Sequence, residues 1–143
     1  MIAVDTNVLI YAQQTQMPEH KKAFAVLKEL AEGNRPWAIT WPNIYEFIRV
    51  STHNKLFTKT TSLKNALAFI KSVIESPTIR VLSHSSHHWE KMQDIILKAD
   101  ASGNLSFDAQ IASILLENGV SEIITNDGDF HRFKDLKVNN PFR

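Results

Sequence analysis

Short apolar runs alternate along this chain with longer stretches in which apolar residues recur every three or four positions. Ile2, Ala3 and Val4 are too few for a helix and suit a buried strand. Asp5 ends that run, and Thr6-Asn7 lead as cap and turn residues into the periodic stretch Val8, Leu9, Tyr11, Ala12. From Pro18 a second helix is predicted, with Ala23, Phe24, Val26, Leu27, Leu30 and Ala31 on one stripe and Gly33-Asn34 as its stop. Trp37 through Thr40 reads as a second strand, closed by Trp41-Pro42-Asn43. Pro42 opens a third helix with Ile44, Phe47, Ile48 and Val50 on its apolar side.

The polar, basic stretch 51–62 reads as a loop. Thr61 or Ser62 then caps a fourth helix over 63–75, striped by Ala66, Leu67, Phe69, Ile70, Val73 and Ile74. Ser76-Pro77 breaks it, and 79–82 is a third strand. Another helix is predicted over 86–98, a turn over 100–104, and a helix capped by Ser106 that runs to Asn118-Gly119. A fourth strand covers 122–125, NDGDF follows, and 136–138 is an edge strand. Strands alternating with helices imply an α/β fold. The expectation is a three-layer α/β/α sandwich around a mostly parallel sheet of four to five strands. With no repeat or linker in sight, residues 1–143 are expected to form one domain.

Composition narrows this only a little. A hydrophobic content of 43% and a charged content of 22% describe an ordinary globule. The absence of Cys removes disulfides and thiolate metal sites. MIAV lacks a basic leader segment, and no apolar stretch nears the roughly 20 residues that span a bilayer. No membrane association and a cytoplasmic location are therefore expected.

Four acids change the picture because of where they fall. Asp5 ends the first strand, and Asp127 follows the fourth. Glu46 falls near the first turn of the third helix, and Asp108 lies two residues after Ser106. In a parallel α/β sheet, the strands' carboxyl ends and the helix starts that follow them share one edge, where ligands bind. Each acid also has an ordinary explanation, as a cap, a turn residue or a partner of the helix macrodipole. Gathering them is another matter. Two carboxylates about 5 Å apart repel by roughly 3 kcal/mol at an effective dielectric near 20. A hard divalent cation removes that repulsion, and all-oxygen ligands favour Mg²⁺ or Mn²⁺. Thr6, Asn7, Asn43 and Thr125 are placed to hold carboxylates or waters from behind.

Charge distribution points to the substrate. No acid occurs over residues 47–74, which contain Arg49, Lys55, Lys59, Lys64 and Lys71. With four of the fifteen acids in one pocket, the rest of the chain carries 16 basic groups against 11 acids. A basic surface around an acidic, cation-holding pocket suits a polyanion, and Arg49, Lys55 and Lys59 are the expected backbone contacts.

The ordered set AVDTNVL, IYEFIRVSTH, LSFDAQIA and ITNDGDF resembles the PIN-domain nucleases, most closely the VapC-type ribonuclease toxins of toxin–antitoxin pairs. The resemblance spans essentially the whole chain. It implies a five-stranded parallel sheet and Mg²⁺- or Mn²⁺-dependent endonucleolytic cleavage of RNA. It also implies a homodimer and a cognate antitoxin. Carried over by position, Asp5, Glu46, Asp108 and Asp127 form the acidic metal and catalytic site. Asp129 ranks below Asp127, which is nearer the strand end. Where the family often has Thr-His-Pro after the third helix, this chain has Asn54 in place of Pro.

Two rivals remain in view. The histidines invite a metal-independent ribonuclease in which imidazoles transfer the protons, but His84, His87 and His88, which crowd one segment and lack the HExxH spacing of a zinc site, favour cap or surface roles. The aromatic residues Trp37, Trp41 and Trp89 and the phenylalanine stripes read as core or interface rather than as base-stacking platforms. A PIN-type module that grips RNA or protein with little or no catalytic activity is the alternative function.

Overall fold

Alternation of side chains along three short strands builds the centre of the molecule. The computed structural model describes residues 1–53 and 60–143. The expected contacts Lys55 and Lys59, and the loop around Asn54, lie outside the described residues. The chain runs β1 (Ile2–Val4), α1 (Thr6–Gln13), α2 (His20–Glu32), β2 (Trp37–Thr40), α3 (Trp41–Ser51) and α4 (Leu63–Ile74). It continues through β3 (Ile79–Leu82), α5 (His88–Ala99), α6 (Leu105–Glu117), β4 (Glu122–Ile124) and β5 (Lys137–Asn139). All five strands pair in parallel in the order β3-β2-β1-β4-β5. The fold is the expected α/β/α sandwich, with the edge strand present.

Two cores form on opposite faces of this sheet. Val4, Trp37, Ile39 and Ile124 face Val8, Leu9, Phe47, Ala66 and Ile70 of α1, α3 and α4. Their neighbours Ala3, Ala38 and Ile123 point the other way, onto Ile95, Ile111, Ala112 and Leu115 of α5 and α6. This is the two-residue period of a strand buried on both faces. β1 is central, flanked by β2 and β4. The chain crosses outward through β2 and β3 on one side of it and through β4 and β5 on the other. Between β1 and β4 lies the switch point where open parallel sheets leave a crevice at their carboxyl ends.

Local chemistry moved several expected boundaries. α3 begins at Trp41, one residue early, because Thr40 caps it. The Thr40 hydroxyl accepts from the Asn43 N–H while the Asn43 side chain accepts from the Thr40 N–H, a reciprocal capping box. Ser106 is not a cap. It lies inside α6, its hydroxyl donating to the Gly103 carbonyl at 2.7 Å, and the helix begins after Asn104. Chain reversal before it uses Asp100 and Gly103, both with left-handed φ. α2 starts two residues beyond Pro18, and its stripe is only partly covered: Ala23 is buried, but Phe24 is 54% exposed. On α4, Ala66, Ile70 and Val73 are buried while Leu63 and Leu67 are exposed. Among the described residues no helix is long and apolar enough to cross a membrane.

Phe47 is fully buried and stacks on Phe69 with ring centroids 5.1 Å apart. Phe47→Ala is expected to lower the unfolding free energy by about 3–5 kcal/mol in urea titration. Phe24→Ala, at an exposed site, should change it by no more than roughly 0.5 kcal/mol.

Candidate active site

Asp5 leaves β1 and caps α1, its Oδ1 accepting the Thr6 N–H at 2.8 Å. Three side chains donate to the same carboxylate. The Thr125 hydroxyl reaches Oδ2 at 2.7 Å, Asn7 Nδ2 reaches Oδ2 at 3.3 Å, and Asn43 Nδ2 reaches Oδ1 at 3.3 Å. The four residues expected to stand behind the acids therefore all gather at Asp5, although the Thr6 hydroxyl itself accepts from Asn43. Asp5 is only 4% exposed. Burial pushes its carboxyl up to about 6, with smaller pushes from Glu46 and Asp127, against the pull of the Thr125 and Thr6 hydrogen bonds.

Thr125 links this anchor to the next acid. Its hydroxyl oxygen accepts from the Asp127 N–H and from Asn7 Nδ2, both at 3.0 Å. Asp127 Oδ1 then accepts the Asp129 N–H at 2.9 Å, opening a 3-10 turn over Gly128–Arg132. That turn curls Asp129 back to the strand edge. As a result Asp108, Asp127 and Asp129 each offer a carboxylate oxygen, all within 4.8 Å of one another. Reasoning from the strand end alone ranked Asp129 below Asp127; the capped turn places both beside Asp108.

Asp5 and Glu46 lie outside that close trio, but their charges reach it. Asp108 is pushed up to about 7, by burial first and then by Asp127, Asp5, Glu46 and Asp129. Among the described residues Asp108 has no hydrogen-bond donor to offset this. Glu46 stands in the second turn of α3 rather than the first. It lines the same groove as the trio, together with Arg49, on a cavity of about 1040 Å³. The donor set is all oxygen, anionic and self-repelling, which fits a hard divalent ion and not a soft one.

The remaining expectations sort by burial. Trp37 is core at 1% exposure, while Trp41 is not core and lines the groove. His88 takes a structural role: its Nδ1 lies 2.6 Å from Glu117 Oε2, and the Ser85 N–H and the hydroxyls of Ser85 and Ser113 donate to the same carboxylate. His84 reaches the groove wall. No periodicity marked Trp41, Tyr45 or Phe107 as groove residues; only their failure to fit an apolar stripe hinted at it.

Comparisons with known proteins match the chain over nearly its whole length. The PIN domain family matches residues 2–136. A VapC ribonuclease of Mycobacterium bovis is 31% identical over 141 residues, covering 99% of this chain and 95% of the relative. Ribonuclease VapC33 of Mycobacterium tuberculosis is 29% identical over 143 residues, covering 100% and 99%. Among solved structures, VapBC2 of Rickettsia felis bound to a promoter DNA fragment superposes with a TM-score of 0.70. It is 20% identical, with 98% of each chain covered. The sarcin-ricin loop cleaving toxin VapC20 of Mycobacterium tuberculosis gives 0.67 at 17% identity, covering 92% and 93%.

The raised carboxyls set a pH test. Both groups ordinarily titrate near 3.8 and do so near 6 and 7 here. The native state therefore holds more protons than the unfolded chain between those values, and stability without added metal falls as pH rises from about 4 to about 7. Asp108→Asn should melt close to wild type at pH 4 and above it at pH 8, as read by thermal denaturation in EDTA.

Proposed function

The chain belongs to the PIN domain family, and from that premise we propose that it is a divalent-metal-dependent endoribonuclease, the toxin of a toxin–antitoxin pair. The carrying observation is the convergence of Asp108, Asp127 and Asp129 within 4.8 Å at the mouth of a groove beside Asp5 and Glu46. Relatives named as ribonucleases match the chain over nearly its full length.

Asp108, Asp127 and Asp129 would hold Mg²⁺ or Mn²⁺ directly, with Asp5 at their back. Such an ion, when bound, lowers the pKa of water and offsets charge building on a phosphodiester. Glu46, on the facing wall, orients the attacking water and accepts its proton. Asp5 acts through position. Fixed by four donors, its buried charge raises the pull on a cation while the donors hold β1 and β4 in register. Arg49 at the groove wall draws in the RNA backbone, a role shared in this proposal with Lys55 and Lys59. The incompletely covered apolar sides of α2 and α4, at Phe24, Leu63 and Leu67, supply surface for a second copy or an antitoxin. Several of the matching structures are toxin–antitoxin complexes, which supports such a partner. The absence of Cys is in keeping with action in the cytoplasm.

Purified protein should cleave single-stranded RNA with Mg²⁺ or Mn²⁺ and stop on chelation. Asp127→Asn should lose roughly a hundredfold or more of that rate, together with the metal-induced rise in melting temperature. Wild-type protein that binds RNA with no metal-dependent cleavage would make this a binding module instead. Arg49→Ala should weaken RNA binding at low salt and flatten the dependence of log K on log salt by about 0.7.

A further inference from the structure

Trp41, Tyr45 and Phe107 are three large aromatic residues standing 41%, 65% and 62% exposed, and all three line the carboxylate groove. On α3, Trp41, Tyr45 and Arg49 follow one another at four-residue steps and so share a side of the helix. The core side of the same helix is carried by Ile44 and Phe47, both buried. The Trp41 and Tyr45 rings lie 6.1 Å apart at 32°, close enough to form one continuous aromatic face. Phe107 lines the same groove from α6, one residue before Asp108.

We propose that these three side chains form a stacking subsite for unpaired nucleobases beside the reacting phosphate, with Trp41, Tyr45 and Phe107 making the contacts to base faces. The inference rests on the groove being the RNA site. A duplex keeps its base faces stacked on one another and offers only edges and backbone, whereas a splayed strand presents π-faces to aromatic side chains. The order along α3, two flat rings and then a guanidinium, matches bases followed by a phosphate. Burying the exposed ring surface under a base also recovers apolar area that the free protein leaves in water.

The test measures the affinity of a short oligoribonucleotide by fluorescence anisotropy, with Ca²⁺ as the only divalent ion. The probes are the single strand, the same strand carrying an abasic position, and a blunt duplex. Trp41→Ala, Tyr45→Ala and Phe107→Ala should each weaken single-strand binding roughly tenfold. Trp41→Phe should recover most of the loss, duplex binding should stay level, and the abasic strand should bind more weakly to wild type. Single strand should also quench tryptophan emission in wild type more than in Trp41→Phe. Unchanged single-strand affinity, or an equal loss for the duplex, overturns the subsite. So does a shift from dimer to monomer with RNA affinity intact, which would make the face a protein contact. Cleavage is scored apart. Wild type that cleaves while the aromatic variants bind normally defeats this inference alone, and base-dependent binding without cleavage defeats the nuclease proposal alone.

Discussion

Anionic oxygens crowded at one sheet edge push one another apart, and the fold holds them by tying one of them down from three directions. Asp5 takes hydrogen bonds from the start of α1, from Asn43 in the first turn of α3, and from Thr125 just past β4. Each donor is itself buried or committed. Asn43 is spent on the capping box with Thr40, and Thr125 accepts from both Asn7 and Asp127. None can turn to water instead, so breaking the set leaves unpaired buried groups, which is costly. The same carboxylate is cap, tie and charge. With Asp5 fixed, the acids that follow β4 have a defined place to stand.

Strand register turns that tie into a site. Val4 pairs opposite Ile124, so Asp5 and Thr125 leave the sheet side by side. α3 starts directly from β2 with no intervening loop, which fixes where Glu46, Arg49 and the exposed aromatic side chains emerge. α6 packs against α5 on the other face of the sheet and delivers Asp108 from its first turn. Three of the approaches therefore come from rigid elements, which hold reacting groups more tightly than loops do. The fourth, at Asp129, comes from a tight turn nailed to Asp127.

What depended on period and position was readable from the sequence. The strands Ile2–Val4, Trp37–Thr40 and Ile79–Leu82, with Asp5 and Asp127 just past strand ends, follow from apolar runs ending in polar residues, and Asp108 follows from the start of a helical stripe. What depended on local competition for hydrogen bonds was not. Thr40 outbid Trp41-Pro42 as the start of α3. Ser106 found the Gly103 carbonyl and gave up capping. Asp129 ranked below Asp127 because a five-residue 3-10 turn has no hydrophobic period to show where it curls. Phe24 looked like core because period alone cannot say what covers a face, although Leu27 and Leu30 of the same stripe do pack on the core.

The bond between Thr125 and Asp5 spans 120 positions of the chain. During synthesis β1 leaves the ribosome with neither neighbour, gains β2 early, and waits for β4 until more than a hundred residues beyond it have been made. Domains complete their long-range pairings last. A growing chain thus carries its acids unassembled, and a translating cell meets the finished groove only after β4 and the turn that follows it have emerged.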